Sequence, residues 1–180
     1  MNNDNNIARR ICLTGMLAAL YLALNMVGFR AWSFHITFAS LPVVVGGLLF
    51  GPLEGMLIAA IGEFFNQTLS YGVTPTTVLW IIPPAVRGLL IGLYAKRCGY
   101  ALSRRQLVGV LIVTSLVVTL LNTGAIYLDS VIYGYYTYAY VFGKVGIRIV
   151  SGAVTAVAMA FVTPPVLDML KRSLRAAQRA

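Results

Sequence analysis

The chain is 180 residues long, 59% hydrophobic and only 11% charged, with a formal net charge of +9. Soluble domains are about 45–50% apolar and about 25% charged. With a mean hydropathy of +0.82, this composition excludes an ordinary soluble globule, a disordered chain and a collagen-like fibre. It implies one integral membrane domain over residues 1–180, with short basic tails at about 1–10 and 170–180.

A bilayer core of about 30 Å takes about 20 mostly apolar residues as a helix. The first such stretch, about Ile11–Gly28, follows Arg9 and Arg10. It is long and no small-x-small cleavage site follows, so it reads as a retained helix rather than a signal peptide. Within it Gly15, Ala19 and Ala23 recur every four residues and form a strip on one face. The strip serves either packing inside the bundle or contact with a partner protein. The second stretch, about Ala39–Phe50, is short. Gly51-Pro52 divides it from the third, about Leu53–Leu69, because proline is tolerated only in a helix's first turn. The fourth covers about Val78–Ala95, the fifth about Leu107–Leu128 and the sixth about Ala139–Met169. Gly47, Gly51 and Gly55, Gly88 and Gly92, and Gly152 with Ala156 and Ala160 offer further small surfaces for close helix packing.

The basic residues choose between six spans and a five-span alternative in which 39–69 is one helix. Arg9 and Arg10 precede the first span. Lys96, Arg97, Arg104 and Arg105 lie between the fourth and fifth, and Lys171, Arg172, Arg175 and Arg179 follow the sixth. Six spans put these ten of the fourteen basic residues on one side, which the positive-inside rule assigns to the cytoplasm. The expected fold is therefore an all-α membrane protein with six transmembrane helices and cytoplasmic N and C termini. The charge is a topology signal that suits anionic lipid head groups, not nucleic acid. Cys12 and Cys98 fall near the cytoplasmic face, where thiols stay reduced. Two cysteines and one histidine make neither a disulfide framework nor a zinc site.

No phosphate loop, paired carboxylates, HExxH or GxSxG is present, so no catalytic residue and no cofactor is expected. Uphill movement of a solute would need an ion gradient or another subunit.

Charged groups at membrane depth are functional candidates. Counting from the span ends places Glu63, Arg87 and Arg148 near mid-membrane, with Lys144 one turn above Arg148. Asn66 and Gln67 follow Glu63, and Asn122 lies in the outer part of the fifth span. One carboxylate against three cations leaves room for an anionic ligand, or for a structural network with water. The outer ends are aromatic: Trp32 beside Arg30 and His35 in the first outer loop, Tyr71 and Trp80 around the second, and six tyrosines, Tyr127 and Tyr136 among them, between 127 and 140. Aromatic faces above a cationic pocket suit a flat, anionic, heteroaromatic molecule.

Ile36-Thr37-Phe38-Ala39-Ser40-Leu41-Pro42, leading into a short helix and then Gly47-Leu48-Leu49-Phe50-Gly51-Pro52, resembles the substrate-binding S component of energy-coupling factor (ECF) vitamin transporters. Ala19-Leu20-Tyr21-Leu22-Ala23 is similar to that group's AxxxA pattern. Leu121-Asn122-Thr123 with Arg148 is similar to its folate branch, although Gly124-Ala125 stand where that branch continues with an aromatic residue. The resemblance implies extracellular capture of a vitamin, folate or a related small anionic heteroaromatic compound, without nucleotide. It implies a transmembrane coupling protein, faced by the small strip of helix one, and two cytosolic ATPases as partners in a bacterial plasma membrane. It also implies that the subunit topples to release its substrate inside.

The alternative is an autonomous ion-coupled transporter or channel for a small organic anion. That reading needs a polar route from face to face, commonly with an inverted repeat. The inner halves of the spans are poor in polar groups and no repeat is visible.

Overall fold

Helix ends here are set by local chemistry acting on the apolar runs. The structure is a computed structural model and describes residues 3–27, 29–31, 34–36, 38–143 and 145–179. Helix α1 spans Asn3–Met26, followed by two three-residue strands, β1 (Phe29–Ala31) and β2 (Phe34–Ile36). They pair antiparallel with Arg30 opposite His35. Then come α2 (Ser40–Leu49), α3 (Pro52–Tyr71), α4 (Thr77–Arg97), α5 (Arg104–Ile132), α6 (Tyr138–Phe142) and α7 (Val145–Arg179). The all-helical class holds, with the small hairpin as an addition: strands this short leave no legible alternation.

The 39–69 stretch is two helices. Gly51 has φ +116°, a conformation that favours glycine, and Pro52 opens α3, where its missing N–H costs nothing. Ser103 starts α5 with a capping box: its hydroxyl accepts from the Gln106 N–H, and the Gln106 side chain accepts from the Ser103 N–H at 2.9 Å. The sixth stretch is divided, contrary to expectation. Its run of apolar residues hides a break at Gly143, so α7 begins only at Val145.

Among the described residues, four helical stretches are long and apolar enough to cross a membrane: α1, α4, α5 and the α6–α7 stretch. The 20 residues of α3 match them in length, but Glu54, Glu63, Asn66 and Gln67 dilute its apolar character. The ten residues of α2 span only about 15 Å. They form the centre of the bundle, with Pro42 through Leu48 buried. Around α2 the other helices pack in the order α1, α3, α4, α5, α7. One apolar cluster joins Val44 and Leu48 to Ile91, Leu107, Leu111 and Met159, and a second joins Val43 to Tyr21, Ile58 and Ala59. The outer faces carry large apolar side chains such as Ile11, Met16, Leu120 and Phe161, which suit lipid.

Glycine brings three helices into backbone contact. A Cβ on Gly88 would lie 2.1 Å from the Gly55 carbonyl oxygen, and one on Gly55 would lie 2.9 Å from the Gly47 Cα. One on Gly92 would lie 2.3 Å from the Pro52 Cα. The strip on α1 does not pack inside the bundle. Gly15, Ala19 and Ala23 are exposed, and nothing lies within 4 Å of a Cβ built on Gly15. The bundle-facing residues of α1 are Thr14, Ala18, Tyr21 and Asn25.

The basic segments share one end of the molecule. Arg10 ion-pairs with Glu54 at the start of α3, and its Nη2 donates to the Phe50 carbonyl at 2.9 Å. The Tyr100 hydroxyl, in the α4–α5 turn, lies 3.1 Å from a Cβ built on Gly51. Arg104 and Arg105 border the same groove as Pro164 and Pro165 of α7, so the tail of α7 leaves from this end too.

Candidate functional site

The cavity at the centre of the bundle has a volume of about 340 Å³ and takes residues from α1, α2, α3, α4, α5 and α7. Its polar wall on α5 is a ladder of Thr114, Ser115, Thr119 and Asn122, faced by Ser151 and Thr155 on α7. The spacing follows the helical repeat, which keeps these groups on one face. Gly152 allows the two ladders to meet, since a Cβ there would lie 2.7 Å from the Ser115 hydroxyl. From Asn122 to Leu111 the cavity follows about 16 Å of α5. Beyond Leu111, Ala156 and Met159, toward the basic end, the apolar cluster of Leu48, Ala95 and Leu107 fills the bundle.

Glu63 is buried on the α3 side. Its carboxylate accepts from the Tyr21 hydroxyl at 2.7 Å, from the Gln67 amide at 2.7 Å and from the Asn66 amide at 3.2 Å. A carboxylate, which only accepts, suits three converging donors. Tyr21 reaches it because position 62 is glycine: a Cβ on Gly62 would lie 2.5 Å from the tyrosine ring. Glu63 therefore pairs with neither arginine. Arg87 instead donates to the Ser40 hydroxyl at the start of α2. Arg148 makes one long contact, 3.5 Å from Nη1 to the Val141 carbonyl. Among the lining residues, two guanidiniums face one carboxylate. In α4, Pro84 has no N–H for the Trp80 carbonyl, and both residues line the cavity.

Of the residues singled out in the sequence, Glu63, Trp80, Arg87, Asn122 and Arg148 line the cavity. Asn66 and Gln67 stand behind Glu63. α7 starts at Val145, which puts Arg148 in its first turn, about 4.5 Å from the helix start. Tyr71 is 65% exposed and does not line the cavity. Tyr127 and Tyr136 also lie outside it, edge to face with each other at 5.4 Å. In the same outer turn the Tyr135 hydroxyl donates to Asp129, and that bond pushes its pKa up to about 12. Arg30 and His35 lie in the hairpin by backbone register, while Trp32 and Lys144 fall outside the described residues. Tyr21, Ser40 and the hydroxyl ladders were not anticipated. Their signal is Ser and Thr recurring at helical spacing on two spans, which hydropathy does not weigh.

A family model for the ECF transporter, substrate-specific component, matches residues 9–167. The chain belongs to this family. It is 30% identical to a UPF0397 protein of Streptococcus thermophilus over 96 residues, 52% of this chain and 51% of that one. It is 29% identical to a UPF0397 protein of Lactobacillus johnsonii over 103 residues, 54% of each. The chain spans about half the length of these curated relatives. Among solved structures it is similar to the S component of a bacterial ECF transporter, with a TM-score of 0.66 and 19% identity over 91% of this chain and 98% of that one. It is also similar to FolT bound with folic acid, with a TM-score of 0.63 and 18% identity over 87% and 95%. These similarities extend the ECF S-component fold to this chain. It is thus a multi-pass membrane protein of a transport family.

Proposed function

We propose that this ECF substrate-specific component captures a small anionic heteroaromatic vitamin, folate or a relative of it, from the extracellular side of a bacterial plasma membrane. A coupling protein and two ATPases would drive its release into the cell. The observation that carries this reading is the central cavity, where Arg87 and Arg148 outnumber Glu63 beside the indole of Trp80. An anionic group on the ligand balances the second arginine, and the hydroxyl ladders supply adaptable hydrogen bonds to its polar edges. The apolar floor of Leu48, Ala95 and Leu107 beneath the cavity favours a binding subunit over a channel. The exposed strip of Gly15, Ala19 and Ala23 offers the coupling protein a flat surface.

Titration calorimetry of the detergent-purified chain with folates, pantothenate and pyrimidine precursors tests the reading. One member of the panel should bind tightly without nucleotide; silence across it would sink the proposal. Arg148→Met keeps length and apolarity while removing a charge-assisted contact, which is worth about 1.5–3 kcal/mol. Affinity for that member should fall roughly ten- to a hundredfold. Unchanged affinity in a folded variant would remove Arg148 from the site.

A further inference from the structure

A second cavity, about 510 Å³, lies at the basic end between the start of α5 and the middle third of α7. Its rim carries Arg104 and Arg105, and its walls are Val108, Val157, Ala160, Phe161, Pro164 and Pro165. Neither guanidinium has an ion-pair partner among the described residues. The acidic residue on this part of α7, Asp168, lies one turn past Pro164 and does not border the cavity. Arg104 and Arg105 are also the first two residues of α5, whose N–H groups lack carbonyl partners within the helix. Positive charge and unused donors thus meet at one spot.

The opposite wall offers acceptors. In a helix each carbonyl accepts from the N–H four residues on, but at Ala160 and Phe161 that residue is a proline. Both carbonyls are left without that partner, and both residues line the cavity. Below this polar mouth the walls are apolar and turned outward, with Val157 44% and Phe161 78% exposed. Arg104 and Val108 are one turn apart, so the arginines sit above an apolar slot that runs along the helices.

We propose that this groove binds an anionic phospholipid with a hydroxylated headgroup, of the phosphatidylglycerol kind. Arg104, Arg105 and the N-terminus of α5 take the phosphate. The Ala160 and Phe161 carbonyls accept from the headgroup hydroxyls. One acyl chain lies along Val108, Val157 and Phe161. The site is separate from the central cavity and does not depend on which vitamin that cavity holds. Charge complementarity selects the occupant: a neutral zwitterionic lipid would bring an ammonium group against two arginines.

Native mass spectrometry tests this on the full purified chain, mixed with equal amounts of dioleoyl phosphatidylglycerol and dioleoyl phosphatidylcholine. A basic residue near a membrane surface contributes about fivefold toward anionic lipid, so two should give about a 25-fold preference for one bound phosphatidylglycerol. Arg104→Gln/Arg105→Gln should abolish the preference. Lys96→Gln/Arg97→Gln, which removes the same charge from the neighbouring turn, should leave most of it. Thermal melts without lipid check that both variants are folded. Equal loss in both variants would mean diffuse surface charge and overturn the site. So would equal occupancy by the two lipids, or phosphatidylmethanol, a phosphodiester of the same charge whose headgroup lacks hydroxyls, binding as tightly as phosphatidylglycerol. A cross-link from Phe161→Cys to a coupling subunit in the assembled transporter would assign the groove to protein instead.

Discussion

Tyr21 and Glu63 share a 2.7 Å hydrogen bond that ties α1 to α3 beside the central cavity. Tyr21→Phe keeps the ring against Gly62 and deletes only the donor to the carboxylate. A hydrogen bond to a charged group contributes about 1.5–3 kcal/mol, so the variant should unfold more easily by that amount. Glu63→Ala should cost more, because it leaves the Tyr21, Asn66 and Gln67 donors without their acceptor. The double variant should lose less than the sum, since both single changes remove the same bond. Chemical denaturation of the four proteins checks this; full additivity would mean that the bond contributes nothing. Glu63 was legible as a buried charge in an apolar run, but its partner was not. Tyr21 sits inside the AxxxA stretch, where the flanking alanines draw attention to the opposite, outward face.

At the scale of the helix, glycine has two opposite meanings in this chain. Gly88 presses on the Gly55 backbone, whereas Gly15 faces open space. Gly88→Ala should therefore force α3 and α4 apart, with overpacking costing about 1–3 kcal/mol. Gly15→Ala should be neutral or raise stability, because it restores about 0.5–1 kcal/mol of helix propensity. Bulk at Ala19 and Ala23 should spare stability and ligand binding, as their face is exposed. If that face meets the coupling protein, Ala19→Trp/Ala23→Trp should abolish uptake. Melting curves, calorimetry and a cell uptake assay read these outcomes; lost binding with uptake preserved would contradict the scheme. Spacing alone shows all these glycines and alanines as strips of small residues. What lies across from each strip is tertiary information, so spacing could not tell the outward strip from the packed ones. The break at Gly143 is hidden for a related reason: apolar residues continue on both sides and no proline marks it.

At the scale of the molecule, Arg10, Arg104 and Arg105 lie at one end, with the turn that joins α4 to α5. The positive-inside rule predicts that this end faces the cytoplasm, and cysteine labelling tests it. In a background carrying Cys12→Ser and Cys98→Ser, Val73→Cys should react with a membrane-impermeant maleimide on intact cells. Ala101→Cys, at the basic end, should react only after permeabilisation; the reverse pattern would invert the orientation. The β1–β2 hairpin leaves no such signature, and neither do the hydroxyl ladders, because serine and threonine hardly perturb a hydropathy profile. The contact of Gly47, Gly55, Gly88 and Gly92 has one more consequence. Where backbones touch, there is no layer of side chains able to change rotamer and let one helix slide on another. Helices α2, α3 and α4 should then open as a single cooperative unit, whose amides are the last to exchange with deuterated solvent. Any large rearrangement during transport would carry this trio as a rigid wedge, leaving α1 and α7 to move around it.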